Sequence, residues 1–140
     1  MTYQEIVEGI KTLQIQGAEK IAVKAVEAFA LKLQETQDPA ELKKAHDELV
    51  ATRPTEPALR NALTYCMNNY QSNPKVAEYV INYFKEAKEK IAEFGAKKIN
   101  DGMIVFTHCH SSTVEAICIK AHQQGKKFTV YNTETRPRFQ

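Results

Sequence analysis

The sequence has no apolar run approaching the roughly 20 residues that a membrane-spanning helix needs, which excludes an integral helical membrane role. It has no charge excess either. Its 19 basic and 17 acidic residues are interspersed and leave a net +2, too little field to attract a polyanion, so direct nucleic-acid binding is not expected. Cysteines number three, an odd count without repeated spacing, which excludes a disulfide framework and points to the cytoplasm. Internal repeats, low-complexity tracts and heptads are missing. What is present is ordinary globular material. With 43% hydrophobic residues the chain is too apolar for disorder, and 140 residues suffice for one domain, or a small domain and part of another. The opening MTYQEIVEGIK reads as an amphipathic helix rather than a signal peptide.

Residues 1–98 read as successive helices. In YQEIVEGIKTLQI, Ile6, Ile10 and Leu13, with Val7 and Ile15 less regularly, fall near helical spacing until Gly17 breaks the pattern. AEKIAVKAVEAFALKLQ sets Ile21, Ala25, Ala28 and Leu31 on one stripe with Ala22, Val26 and Phe29 beside it, an alanine-rich face suited to close helix packing. Asp38-Pro39 is a helix start, Asp as N-cap and Pro at the first helical position; Leu42, Ala45 and Leu49 follow on one face. Arg53-Pro54 ends that helix, because a residue before proline is pushed out of the α region. PALRNALTYCMNNY carries Leu59, Leu63, Cys66 and Tyr70 on a face. After the start signal Ser72-Asn73-Pro74, a long helix over 75–98 repeats Val76, Tyr79, Val80, Tyr83, Phe84, Ala87, Ile91 and Phe94, with Gly95 as a packing notch.

Beyond the turn signal Asn100-Asp101-Gly102 the character changes. MIVF reads as a strand buried on both faces. SSTVEAICIKAHQQGKK is a helix with Ser111 or Ser112 as N-cap, Glu115 placed for a capping box with Ser112, and Gly125 at its C-terminal end. KFTVYN is a second strand. Strand, helix, strand in this span is a βαβ unit with parallel pairing. The expected fold class is therefore α followed by α/β: a helical domain over 1–98, then the start of an α/β domain over 99–140. Two parallel strands do not make a stable sheet alone, so the α/β part reads as truncated.

Chemistry concentrates at the strand ends, where open α/β sheets bind ligands. THCHS, from Thr107 to Ser111, leads into a helix N-terminus, where amides and dipole favour a phosphate. His108, Cys109, His110 and Ser111 are candidate site residues there, and a strand-to-helix loop is a setting in which Cys109 has more to do than pack. Cys66 and Cys118, on apolar helix faces, read as packing, and His46 and His122 as solvated. The end of the second strand repeats the geometry with Glu134 and with Arg136, whose guanidinium fork suits a phosphate. A zinc site at His108, Cys109 and His110 lacks a second ligand pair. A serine hydrolase would need GxSxG and a dinucleotide site GxGxxG; neither occurs.

Together, EKIAEFGAKKINDGMIVFTHCHS and GKKFTVYNTETRPRFQ, with IKTLQIQGAEKIA and TRPTEPALRNAL upstream, resemble the family that contains translation initiation factor 2B regulatory subunits, ribose-1,5-bisphosphate isomerase and methylthioribose-1-phosphate isomerase. The resemblance runs the length of the chain. It implies an N-terminal helical domain followed by a Rossmann-like domain, assembly into homo-oligomers or with related subunits, a phosphorylated sugar or nucleotide as ligand, no cofactor and no membrane partner. It further implies that Cys109 matches the catalytic cysteine of the isomerases, and that Arg53, next to Pro54, and Arg136 match positions that hold substrate phosphate. Gln16 and Gly17 fall in the loop where isomerases carry IRGA; here it is IQGA. RPTEPALRNA replaces RPTAVSLPNA, which puts Glu56 near the expected anion, with Arg60 as a compensating charge. The aspartate with which the isomerase cysteine works has no counterpart up to Gln140. These departures lead to a first expectation of a regulatory, initiation-factor-2B-like homologue that keeps the pocket; the alternative is a ribose-1,5-bisphosphate isomerase using Cys109.

Overall fold

The computed structural model describes residues 1–134, and Arg136 lies outside them. Among the described residues the element order is α1 (Tyr3–Lys11), α2 (Ala18–Glu35), α3 (Pro39–Thr52), α4 (Pro57–Asn69), α5 (Val76–Ala96), β1 (Ile104–Thr107), α6 (Ser112–Gln123) and β2 (Thr129–Asn132). The chain divides into two compact units inside α5, Met1–Phe84 and a second from Lys85 onward. None of the described helices is long and apolar enough to cross a membrane.

In the first unit α2 is the central helix, packed on α1, α3 and α4. Its stripe of Ile21, Ala22, Ala25, Val26, Ala28 and Phe29 is buried against Ile6, Ile10, Leu42, Leu49, Leu59, Leu63 and Cys66, and the start of α5 adds Val76 and Val80. Alanines on the central helix let its neighbours approach closely. Each fully buried Leu, Ile or Phe contributes about 1.5–3 kcal/mol relative to exposure. The boundaries follow local chemistry. Asp38 caps α3 by accepting the Ala40 N–H at 3.0 Å, with Pro39 at the first helical position, and the Asn73 side chain accepts the Lys75 N–H at 3.0 Å just before α5. Tyr3 ties α1 to α3: its hydroxyl donates to Glu48 Oε2 at 2.8 Å, with Ala45 O at 3.2 Å.

The first helix stops at Lys11 instead of continuing through the periodic residues Leu13 and Ile15. Leu13 adopts φ 62, which reverses the chain, and the Ile15 N–H returns to Gly9 O at 2.8 Å. Ile15 lies so close that a Cβ on Gly9 would meet its Cδ1 at 2.9 Å; the space over Gly9 is what lets the turn close. His46 is only partly solvated. Its side chain is 15% exposed, with Nδ1 2.9 Å from Asp47 Oδ1. The long periodic face of α5 is only partly covered: Tyr79, Tyr83, Ile91 and Phe94 are exposed. Periodicity marks an apolar face without saying what covers it.

The second unit is built around a two-stranded parallel sheet in the register Ile104↔Thr129 to Thr107↔Asn132. Val105, Ile117 and Phe128 pack on Ala96, Ile99 and Ala121, so the end of α5 and α6 cover one face. The opposite face is open: Ile104 is 70% and Phe106 71% exposed. MIVF is thus not buried on both faces, because one layer of helix covers two strands from one side only. Gly95 is the notch that admits Ile117, as its spacing implied. Helix α6 ends as predicted: Gly125, at φ 82, donates to His122 O at 2.9 Å and Lys126 N–H reaches Ala121 O at 3.2 Å, the paired bonds of a Schellman closure. Lys126 Nζ then donates to Ala96 O at 2.6 Å and Ile99 O at 2.7 Å. That places a cation on the carbonyl end of α5, where the helix dipole favours it.

Candidate functional site

The parallel register sets the ends of β1 and β2 side by side. Thr133 N–H donates to Thr107 O at 3.3 Å, extending the ladder one residue beyond the strands, so the segment that begins at His108 leaves the sheet next to Thr133. His108 Nδ1 lies 2.7 Å from Thr133 Oγ1, and the Cys109 N–H donates to the same oxygen at 3.3 Å. Cys109 holds φ 61, a left-handed conformation that a non-glycine residue rarely adopts and that costs about 1–2 kcal/mol. The turn leaves Cys109 exposed one residue past His108 and three before the start of α6 at Ser112.

Ser111 is the N-cap of α6 and accepts the Val114 N–H at 3.4 Å. The box between Ser112 and Glu115 does not form. Ser112 is already the first helical residue, and the Glu115 N–H bonds Ser111 O at 2.9 Å. With that cap in place, the positive end of the α6 dipole begins directly after the cysteine turn, an arrangement that favours a negative group nearby. His110 and Glu134 are exposed, His110 between Cys109 and the cap and Glu134 directly after Thr133. The strand ends therefore bring His108, Cys109 and Thr133 into one hydrogen-bonded cluster, flanked in sequence by His110, Ser111 and Glu134.

The other expected residues lie on two loops of the helical unit. Gln16, exposed in the α1–α2 loop, donates its Nε2 to Leu13 O at 2.6 Å, and Gly17 takes φ 88 at the N-cap of α2. A side chain at Gly17 would strain that backbone, although nothing crowds the position. Arg53 is the half-buried C-cap of α3, its carbonyl accepts the Glu56 N–H at 3.0 Å, and Pro54 follows it exposed.

Among the described residues no group of three or more His, Cys, Asp or Glu is placed to hold a metal ion. Cys66 is fully buried, and burial pushes its thiol up to about 11, as suits a packing residue. An apolar groove of about 510 Å³ lies between α4 and the start of α5, lined by Tyr65, Tyr79 and Tyr83 among others, with Tyr65 and Tyr79 stacked at 5.8 Å. Its lining carries no thiol, imidazole or carboxylate.

Thr133 is the contact that reading by motif passed over. The expected parallel pairing put the two strand ends side by side, but which residues face each other depends on the register Thr107↔Asn132, which the motifs do not carry.

Residues 14–140 match the family model described as the initiation factor 2 subunit family. The chain is 41% identical, over 97% of its length, to the ribose 1,5-bisphosphate isomerase of Thermococcus kodakarensis, of which it covers 48%. It is 33% identical, over 99% of its length, to the methylthioribose-1-phosphate isomerase of Dehalococcoides mccartyi, again covering 48%. Among solved structures, the translation initiation factor eIF-2B of Pyrococcus horikoshii superposes with a TM-score of 0.84 at 30% identity, over 98% of this chain and 52% of that one. The chain spans about half the length of the curated relatives it matches.

Proposed function

The chain belongs to the initiation factor 2 subunit family, and from that premise we propose that the protein is an aldose–ketose isomerase of a ribose phosphate bearing a phosphate at C1, ribose 1,5-bisphosphate first among candidates. The observation that carries this reading is the Cys109 turn: an exposed thiol at a strand end, held at φ 61, hydrogen-bonded through its amide to the neighbouring strand and followed at once by a helix N-terminus. An unusual backbone conformation at a loop of this kind is where folds store functional constraint. Relatives named ribose 1,5-bisphosphate isomerase support the substrate class.

The reaction balances within the sugar. The C1–ring-oxygen bond breaks, the hydrogen on C2 is transferred to C1, the O2 proton goes to the ring oxygen, and C2–O becomes the ketone. No external oxidant or reductant is needed. In this reading Cys109 is the acid/base group for proton movement at the opening ring, the α6 N-terminus meets a phosphate, and Arg136 keeps the phosphate-holding role that the resemblance implies. By resemblance, Arg53 and the Gln16–Gly17 loop take part in holding phosphate on a helical domain over 1–98, and 99–140 opens a Rossmann-like domain. The working protein is a cytoplasmic assembly of like or related subunits.

The regulatory reading keeps one specific support. Gln16 stands where the isomerases carry arginine, and its amide is engaged with Leu13 O, so this loop offers phosphate no guanidinium. Incubating the protein at its native length with ribose 1,5-bisphosphate separates the two readings. Conversion to the ketose, followed by phosphorus NMR, supports the isomerase; saturable binding without conversion supports the regulatory homologue.

A further inference from the structure

We infer that Thr133 is a positioning residue whose hydroxyl sets both the Cys109 turn and the tautomer of His108, an inference that rests on the reading of Cys109 as the reacting group. Two hydrogen bonds converge on one oxygen: the Cys109 N–H at 3.3 Å and His108 Nδ1 at 2.7 Å. The parallel register puts it there, since Thr133 follows Asn132, the partner of Thr107, and bonds Thr107 O through its own amide.

A hydroxyl has one hydrogen to donate and two lone pairs to accept with. Accepting from the Cys109 amide holds the residue at φ 61, a conformation that a free loop would leave, given a local cost of about 1–2 kcal/mol. We assign the hydroxyl's own hydrogen to His108 Nδ1, 2.7 Å away, which leaves that nitrogen without a proton. The imidazole then carries its hydrogen on Nε2, as a donor for an oxygen of the bound sugar phosphate. A valine of the same shape supplies neither function, whereas a serine supplies both. The hydroxyl and not the β-branch is therefore the working part.

Long-range proton–nitrogen NMR of the imidazoles, taken where they are neutral, tests the first half. Native protein is expected to show His108 with an unprotonated Nδ1; Thr133→Val shows a mixture of tautomers and Thr133→Ser returns the native pattern. Alkylation of Cys109 by iodoacetamide, followed on its own peptide by mass spectrometry, tests the second half. Its rate should change by about threefold or more in Thr133→Val, since thiol reactivity follows its surroundings, and recover in Thr133→Ser. A proton on Nδ1 in the native protein, or a valine variant with native tautomer and native alkylation rate, overturns the inference. Neither readout needs turnover, so this failure is separate from failure of the isomerase reading, which substitution of Cys109 itself decides.

Discussion

Gly95 and Ile117 are packed so closely that a Cβ on the glycine would lie 2.6 Å from both Cδ1 and Cγ1 of the isoleucine. Two effects compete at this position. Alanine is the better helix former by about 1 kcal/mol, but forcing a methyl into a filled space costs about 1–3 kcal/mol. At 2.6 Å the packing term wins, so Gly95→Ala destabilises the protein by up to about 2 kcal/mol. In an Ile117→Ala background the obstacle is gone, and the same substitution becomes neutral or stabilising by up to about 1 kcal/mol. Chemical denaturation of the four proteins of this double-mutant cycle checks the change of sign.

Alkaline stability follows from two buried acids. Burial raises the Cys66 thiol from 9.0 to about 11, and burial together with Glu48 raises the Tyr3 hydroxyl above its ordinary 10.0. Both native groups hold their protons more tightly than the unfolded chain does. The stability they contribute is thus complete below pH 9 for Cys66 and below pH 10 for Tyr3, and is lost as pH rises through the higher native values. Melting temperature measured against pH should be flat up to about 9 and then fall. Cys66→Val removes the earlier part of that fall and leaves the part due to Tyr3. At neutral pH, Tyr3→Phe loses the bond to Glu48 and costs about 1 kcal/mol.

Gln16→Arg tests whether the α1–α2 loop belongs to the site. Gln16 is exposed, so an arginine is accommodated at little cost to folding, and its charge-assisted contact with a phosphate is about twice as strong as the amide's. The Michaelis constant for a ribose phosphate should fall several-fold while kcat stays near its native value. Kinetics indistinguishable from the native protein's would remove the loop from the site.

Features set by neighbours in sequence were legible before the structure. The Asp38-Pro39 start of α3 and the Gly125 closure of α6 each depend on a few adjacent residues, and so does the THCHS turn after a short apolar strand. The Gly95 notch was also visible, because a glycine inside a strongly periodic helix invites a close neighbour. What could not be read depends on distant partners. The Tyr3–Glu48 bond joins residues on different helices, and the Thr133–His108 contact needs the parallel register of β1 and β2. Leu13 continues a helical period in sequence, yet it turns the chain because Ile15 finds its space over Gly9. The exposure of Ile104 and Phe106 depends on how many layers cover the sheet, which no stretch of four residues encodes.

The relatives' names favour the isomerase over the regulatory expectation. Gln16 and the TEPALRN stretch pointed first to a regulatory homologue. Relatives at 38–41% identity are named as ribose 1,5-bisphosphate isomerases, and Cys109, the proposed acid/base group, is exposed and held at φ 61. The most direct measurement is the rate of ribose 1,5-bisphosphate isomerisation by the protein at its native length, compared with that of Cys109→Ser. Turnover is expected of the native protein, with a loss of about 100-fold or more in the serine variant, the usual cost of removing a general acid/base, and substrate binding retained. Equal rates in the two proteins would contradict the acid/base role and take Cys109 out of the chemistry.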